Sequence, residues 1–312
     1  MFLVLFLYAL WASTFTISKL ILEYMPPILF VAIRMIIGGI ILLGFQYFFN
    51  RKGWRLDWRD FSLFSQITVL FMYISFVTEF VALTDITSAK ACLLFNASPF
   101  VMAFFAYFML GDRLTIKQWI GLFIGLVGFI PIILNQTGEE ALTYHIGFLS
   151  LPELLLIISV ITSTYGWILI KKLSERNYSS VMVLGVTMFW GGILSLITSI
   201  AIEGRPFLYL PAEGGFGLTP SQYAFAASAF YILLLVLIAH IVCFNLQTHL
   251  MQRYSVTFIT FAGFTSPLFA ALFDRIIFGI TAPFAFFITM VFVIIGLYLF
   301  YQDELVQREK AL

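Results

Sequence analysis

Long apolar runs separated by short polar breaks divide the chain into ten stretches, near 2–22, 27–49, 61–84, 88–110, 115–134, 148–171, 180–202, 222–249, 256–278 and 281–301. Each approaches the ~20 residues that a helix needs to cross the hydrocarbon core of a bilayer. The runs are continuous rather than alternating, and too long for strands, which excludes a closed β-barrel. The pattern predicts an all-α integral membrane protein with ten transmembrane helices. The breaks carry ordinary stop signals: Met25-Pro26-Pro27 ends the first span, and Gly111-Asp112-Arg113-Leu114-Thr115 joins the fourth to the fifth. The longest break, Glu203 to Gln222, is rich in Gly and Pro and is expected outside the membrane.

Composition agrees with a bilayer as solvent. Of 312 residues, 62% are apolar and 11% charged, and mean hydropathy is +1.02. A soluble domain carries about 25% charged residues. The net charge of +1 gives no electrostatic case for nucleic acid as a partner. Cys92 and Cys243 both lie in apolar stretches, and no Cys/His spacing suits a metal, so no disulfide, metal or cofactor is expected. Met1 to Leu20 has no basic leader and no convincing cleavage site, and reads as a retained helix rather than a signal peptide.

Loop charges set the orientation. With a cytoplasmic N-terminus, the inner side holds Arg51, Lys52, Arg55, Arg59, Arg113, Lys117, Lys171, Lys172, Arg176, Arg253, Arg308 and Lys310. The outer side and its helix ends hold Lys90, Arg205 and Arg275. Both termini are therefore expected in the cytoplasm.

The chain also matches itself. At an offset of 153, Ile17, Lys19 and Leu20 fall on Ile170, Lys172 and Leu173, and Gly38-Gly39 falls on Gly191-Gly192. Beyond the long break the offset becomes 168: Phe76 meets Phe244, Ser98-Pro99 meets Ser266-Pro267, Gly111 meets Gly279 and Gly128 meets Gly296. An odd number of spans per copy turns the second copy upside down, so the fold predicted is two inverted five-helix repeats, 1–140 and 146–303, with a cytoplasmic tail at 304–312. Inverted repeats are typical of secondary transporters, which rock about a site at the membrane midplane.

Several stretches carry a family likeness: Phe80-Val81-Ala82-Leu83, Ala89, Ala91, Ser98-Pro99 and Leu110-Gly111-Asp112-Arg113-Leu114-Thr115, then Tyr254-Ser255-Val256-Thr257 and Ser266-Pro267-Leu268-Phe269-Ala270-Ala271-Leu272. On these residues the chain resembles EamA-type transporters of the drug/metabolite transporter superfamily. Members usually have Gly-Glu where Gly111-Asp112 stands, and the second copy's Gly279-Ile280 lacks the acid. The resemblance implies a carrier of amino acids, nucleotide-linked compounds or other metabolites, S-adenosylmethionine among them, in a bacterial inner membrane. It also implies a cavity lined by the first, third, fourth, sixth, eighth and ninth spans.

Ionisable residues inside a membrane are costly and mark function. Lys19, Arg34, Glu79, Lys90 and Asp274 stand out. Glu79 ends a stripe of Ser65, Thr68 and Ser75 on the third span, which also presents Tyr73 and Phe76. It either faces a water-filled cavity or pairs with Arg34 or Lys90. Lys90 either meets a substrate carboxylate or snorkels to the interface, while Asp274 meets Lys90, a substrate amine or headgroup water. Asn96 precedes Ser98-Pro99; Pro99 and Pro267 interrupt matched spans and are candidate gating positions. His240 shares a helix face with Cys243 and Gln247 and is a proton-binding or packing histidine. Trp11, Phe95, Tyr165, Thr260 and Phe264 complete an aromatic and polar wall able to hold a planar group or a cation.

Charges of both signs near one level favour a small zwitterionic, amino-acid-like or nucleoside-containing solute, carried by alternating access by a monomer or homodimer. The alternatives are a sugar-phosphate, nucleotide or drug exporter of the same fold and, in another class, a membrane-embedded enzyme or a channel. No zinc-protease, nucleophile-elbow or Walker motif supports an enzyme or an ATP-driven pump.

Overall fold

The computed structural model describes residues 2–49, 57–105, 107–108, 115–135, 138–204, 229–243, 246, 250 and 263–311. Helices α1 (Phe2–Leu22) and α2 (Pro27–Phe49) take up the first two apolar runs. The third run forms α3 (Trp58–Asp85), whose middle, Ile67–Ser75, widens into π-helical turns. The fourth is two helices, α4 (Ser88–Phe95) and α5 (Ser98–Phe105). Next come α6 (Ile116–Val127), α7 (Ile130–Leu134), α8 (Leu151–Glu175) and α9 (Ser180–Ile202). Of the eighth run, α10 (Ala229–Ala239) is described, leading into π-helical turns at Leu237–Cys243. The chain closes with α11 (Ser266–Ile277) and α12 (Phe284–Ala311). Among the described residues, six helices are long and apolar enough to cross a membrane: those spanning Leu3–Leu22, Pro27–Phe49, Trp58–Asp85, Ile116–Leu134, Leu151–Ser174 and Ser180–Ile202.

Local chemistry explains the ends and breaks. Thr115 and Gln118 cap α6 reciprocally: the Gln118 N–H donates to Thr115 Oγ1 at 3.3 Å, and the Thr115 N–H to Gln118 Oε1 at 2.8 Å. The fourth run breaks because Pro99 has no N–H to give and its ring crowds the carbonyl of Phe95. The last turn of α4 tightens instead, with the Asn96 N–H donating to Leu93 O at 3.1 Å and the Ala97 N–H to Leu94 O at 3.0 Å. Pro267 sits in the first turn of α11, where a missing N–H costs nothing. The last helix runs on to Ala311, through residues read from sequence as a tail beyond the membrane. Gln302 to Lys310 contains no Gly or Pro and several strong helix formers, so nothing stops it.

Backbone contacts divide the chain into two compact units. One comprises Met1–Thr16, Asp85–Val160 and Ile241–Leu312; the other comprises Ile17–Thr84 and Ile161–His240. Each takes segments from both halves of the sequence. In the second unit α2 lies against α9, and glycines allow the approach: a Cβ on Gly39 would stand 2.7 Å from the Phe189 nitrogen, and one on Gly192 2.9 Å from the Ile36 nitrogen. In the first unit α6 meets α12 in the same way, Gly296 lying against the Gly121 carbonyl and Gly125. Small residues at such seams suit a bilayer, where close van der Waals packing and interhelical hydrogen bonds hold helices together. The outward faces are apolar, as with Phe45, Phe48 and Phe49 on α2 and Ile197 and Ile200 on α9.

Candidate functional site

The first unit brings the break in the fourth span together with aromatic side chains. Asn96 follows the last residue of α4, and its Nδ2 is buried without a hydrogen-bond partner among the described residues. An amide that has lost water without gaining a partner is an uncompensated donor. Phe95 packs on Phe15 of α1, with ring centroids 5.6 Å apart. One turn and two turns before Phe15, α1 presents Trp11 and Tyr8, both half-buried. The Tyr8 ring lies against Gly263, where an added Cβ would be 3.2 Å from it, and Phe264 is buried next door.

Charged groups of the same unit gather at the N-terminal ends of α4 and α8. Lys90 Nζ lies 2.7 Å from Glu140 Oε1 and 2.8 Å from Glu153 Oε1. Glu140 lies in the helical turn Gly138–Leu142. A hairpin of β1 (His145–Ile146) and β2 (Leu149–Ser150) then leads into α8. Ser150 and Glu153 form a capping box there: the Ser150 N–H donates to Glu153 Oε2 at 2.8 Å, and the Glu153 N–H to Ser150 Oγ at 3.4 Å. Asp274, buried on α11, accepts the Ala89 N–H at 2.8 Å and so caps α4 beside Thr87.

In the second unit the Arg34 guanidinium lies over two rings of α3, 5.3 Å from the centre of Phe76 and 5.1 Å from that of Phe80. Glu79 is buried on the same helix, with its charge acting on Arg34. Tyr73 and Thr198 share a hydrogen bond of 2.7 Å, and the Tyr165 hydroxyl donates to Gln66 Oε1, also at 2.7 Å. At the start of α3, Asp60 forms an ion pair with Arg176 and accepts the Tyr178 hydroxyl at 2.8 Å.

The candidate residues therefore divide. Trp11, Phe95, Asn96 and Phe264 belong to the first unit with Pro99 and Pro267; Tyr73, Phe76, Glu79 and Tyr165 belong to the second. Of the open alternatives, Glu79 is the buried charge that acts on Arg34, with no ion pair between them among the described residues. Lys90 answers Glu140 and Glu153, two acids outside the candidate set, so its ammonium is already engaged. Asp274 meets a backbone N–H. His240 stands in the π-helical stretch, but its side chain and the whole of Thr260 lie outside the described residues. The signal for Glu153 was present in Ser150-Leu151-Pro152-Glu153, a capping box ahead of an apolar run.

A multi-pass α-helical bundle with charged and amide groups buried among its spans is an integral membrane protein. The EamA-like transporter family matches residues 1–134 and 150–302. The chain belongs to that family. It is 32% identical over 306 residues to an S-adenosylmethionine/S-adenosylhomocysteine transporter of Chlamydia muridarum (strain MoPn / Nigg), covering 95% of this chain and 89% of that protein. A transporter of the same description from Chlamydia trachomatis serovar D is 30% identical over 305 residues, with 95% and 86% covered. The uncharacterized inner membrane transporter YedA of Escherichia coli (strain K12) is 24% identical over 270 residues, with 85% and 78% covered. One solved structure, known only as the crystal structure of a protein, agrees in fold with a TM-score of 0.60 at 17% identity, covering 98% of this chain and 96% of that one.

Proposed function

We propose that this chain is a secondary carrier of S-adenosylmethionine and related zwitterionic nucleoside compounds, working by alternating access. The observation that carries the substrate is the near end-to-end likeness to S-adenosylmethionine/S-adenosylhomocysteine transporters. The site proposed for it centres on Asn96. Its buried amide donor needs an acceptor, and a purine edge supplies ring nitrogens. Trp11, Phe95 and Phe264 offer flat apolar surface for the base or for the sulfonium. Lys90 is left out, because its two carboxylates already satisfy it.

The inverted duplication proposed for the scaffold, 1–140 and 146–303, has support in the second unit. Gly39 meets Phe189 and Gly192 meets Ile36. Adding the repeat offset to one member of the first contact and subtracting it from the other (39 + 153 = 192, 189 − 153 = 36) gives the second contact. Such an exchange is expected of two copies related by a two-fold axis. Ten spans, with Lys and Arg concentrated in the loops of one side, support a reading in which both termini lie in the cytoplasm of a bacterial cell.

Counterflow tests the reading. Proteoliposomes loaded with unlabelled S-adenosylmethionine should accumulate the labelled compound transiently, and external S-adenosylhomocysteine should compete. No counterflow of either compound, with a purified and monodisperse protein, would overturn the substrate assignment.

A further inference from the structure

Lys90 is shared between two acids in a nearly dry setting: the side chains of Lys90, Glu140 and Glu153 are 6%, 3% and 0% exposed. Glu140 Oε1 accepts both the ammonium at 2.7 Å and the Ser150 hydroxyl at 2.8 Å. No described bond reaches Glu140 Oε2. Glu153 is held through Oε2 by the Ser150 N–H. The neighbouring elements bring Asp274 from α11, which caps α4 beside Lys90, and His145, which stands opposite Ser150 in the hairpin. Among the described ion pairs, Lys90 is the cation that these two acids share.

Among the described ion pairs, one ammonium is shared by two carboxylates, and two like charges held this close in a buried setting favour a proton on one of them. Two carboxylates sharing a site raise the proton affinity of one of them. Burial raises the Glu140 value above the usual carboxylate range and Glu153's charge adds to the rise, while the bonds from Lys90 and Ser150 act the other way.

We propose that Lys90, Glu140 and Glu153 form a proton-binding site of the carrier, in which Glu140 Oε2 takes one proton from bulk water and returns it there. With the proton on, the cluster is neutral and clamps the start of α4 to the hairpin and α8. With it off, the clamp carries a net negative charge and weakens. The clamped arrangement is thus favoured on the acid side and loses that advantage as pH rises from the ordinary carboxylate range through Glu140's own value. The helix so clamped ends at Asn96, so the proton biases the element that bears the proposed substrate site; this consequence alone rests on the carrier reading.

The test is infrared spectroscopy of the full chain in lipid vesicles, titrated from about pH 5 to about pH 9 and read at the carbonyl stretch of protonated carboxylic acids. The wild type should show a band that disappears with a midpoint above ~4.3, the ordinary glutamate value. Glu140→Gln should lack the band. Glu153→Gln should keep it with a lower midpoint, because the repelling charge is gone, and Lys90→Met should raise the midpoint. A band unchanged in Glu140→Gln, or no titrating band in the wild type, overturns the proposal. Should Glu140→Gln fail to fold, the opposite shifts of the other two variants decide, and equal midpoints overturn it. Counterflow of S-adenosylmethionine is measured alongside. If the band behaves as expected but nothing is transported, the substrate reading fails and the proton site stands; if transport occurs without pH dependence, the link to α4 fails.

Discussion

The guanidinium carbon of Arg34 lies 5.1 Å from the centre of the Phe80 ring and, one turn earlier on the same helix, 5.3 Å from that of Phe76. The two rings are nearly parallel, with planes 10° apart, so α3 presents an aromatic ladder on which the cation of α2 rests. Glu79, between them in sequence, supplies the opposing charge.

Removing one member of this buried set leaves the other uncompensated. Glu79→Ala removes the charge that opposes Arg34 and is expected to destabilise the protein by about 1–3 kcal/mol, the range for leaving a buried polar group uncompensated. The double variant Arg34→Met, Glu79→Gln should recover most of that loss, since it removes both charges. Thermal unfolding in detergent checks this. If Glu79→Ala unfolds at the wild-type temperature, the carboxylate does not offset the charge of Arg34.

Asn96 is expected to behave in the opposite way. Its Nδ2 makes no hydrogen bond among the described residues, so Asn96→Leu should leave unfolding temperature near that of the wild type. If the amide binds substrate, its loss costs about 1–3 kcal/mol of binding. Half-saturation for S-adenosylmethionine should then rise about tenfold or more, since each ~1.4 kcal/mol is tenfold. Unchanged half-saturation in counterflow would remove Asn96 from the site.

These two cases mark what the sequence could reveal. The spans were legible because a bilayer demands long apolar runs, and Pro99 declared the break in the fourth because a proline cannot continue a helix. Asn96 stands beside that break, which is what marks it as a candidate. The partner of Lys90 was not legible. Glu140 lies in a polar gap between spans, where acids are ordinary, and only the turn Gly138–Leu142 carries it back onto α4. Depth along a helix can be counted from sequence, whereas the azimuth that decides between Glu79, Glu140 and Glu153 depends on how helices rotate against one another. Arg34 shows the same limit, since no pattern along α2 announces the two rings of α3.

Glu203 closes the C-terminal end of α9 and caps α2, accepting the N–H groups of Ile28 at 2.8 Å and Leu29 at 2.9 Å. Its Oε2 also accepts the Ser199 hydroxyl at 2.8 Å. A carboxylate at a helix N-terminus satisfies donors that have no partner within the helix and opposes the positive end of the dipole. Glu203→Ala should therefore cost about 0.5–2 kcal/mol, the range for a lost N-terminal cap. Glu203→Gln keeps an acceptor oxygen and should lose less. Equal loss in both variants, measured by thermal unfolding, would mean that the charge and not the hydrogen bond is what matters.

Two glycines of α2 give a controlled comparison of seam and surface. A Cβ on Gly39 would stand 2.7 Å from the Phe189 nitrogen and 2.9 Å from its Cα, both backbone atoms that cannot rotate away. A Cβ on Gly44 would meet nothing within 4 Å. Gly39→Ala must push α9 outward along the seam, at an expected cost of about 1–3 kcal/mol for overpacking. Gly44→Ala should be neutral or stabilising by roughly 0.5–1 kcal/mol, because alanine orders less chain entropy into a helix than glycine. The difference matters beyond stability. Gly192 faces Ile36 in the matching contact, so Gly192→Ala should reproduce the defect of Gly39→Ala if the two contacts are equivalent. A defect in one without the other, read by unfolding temperature, would count against the duplicated seam.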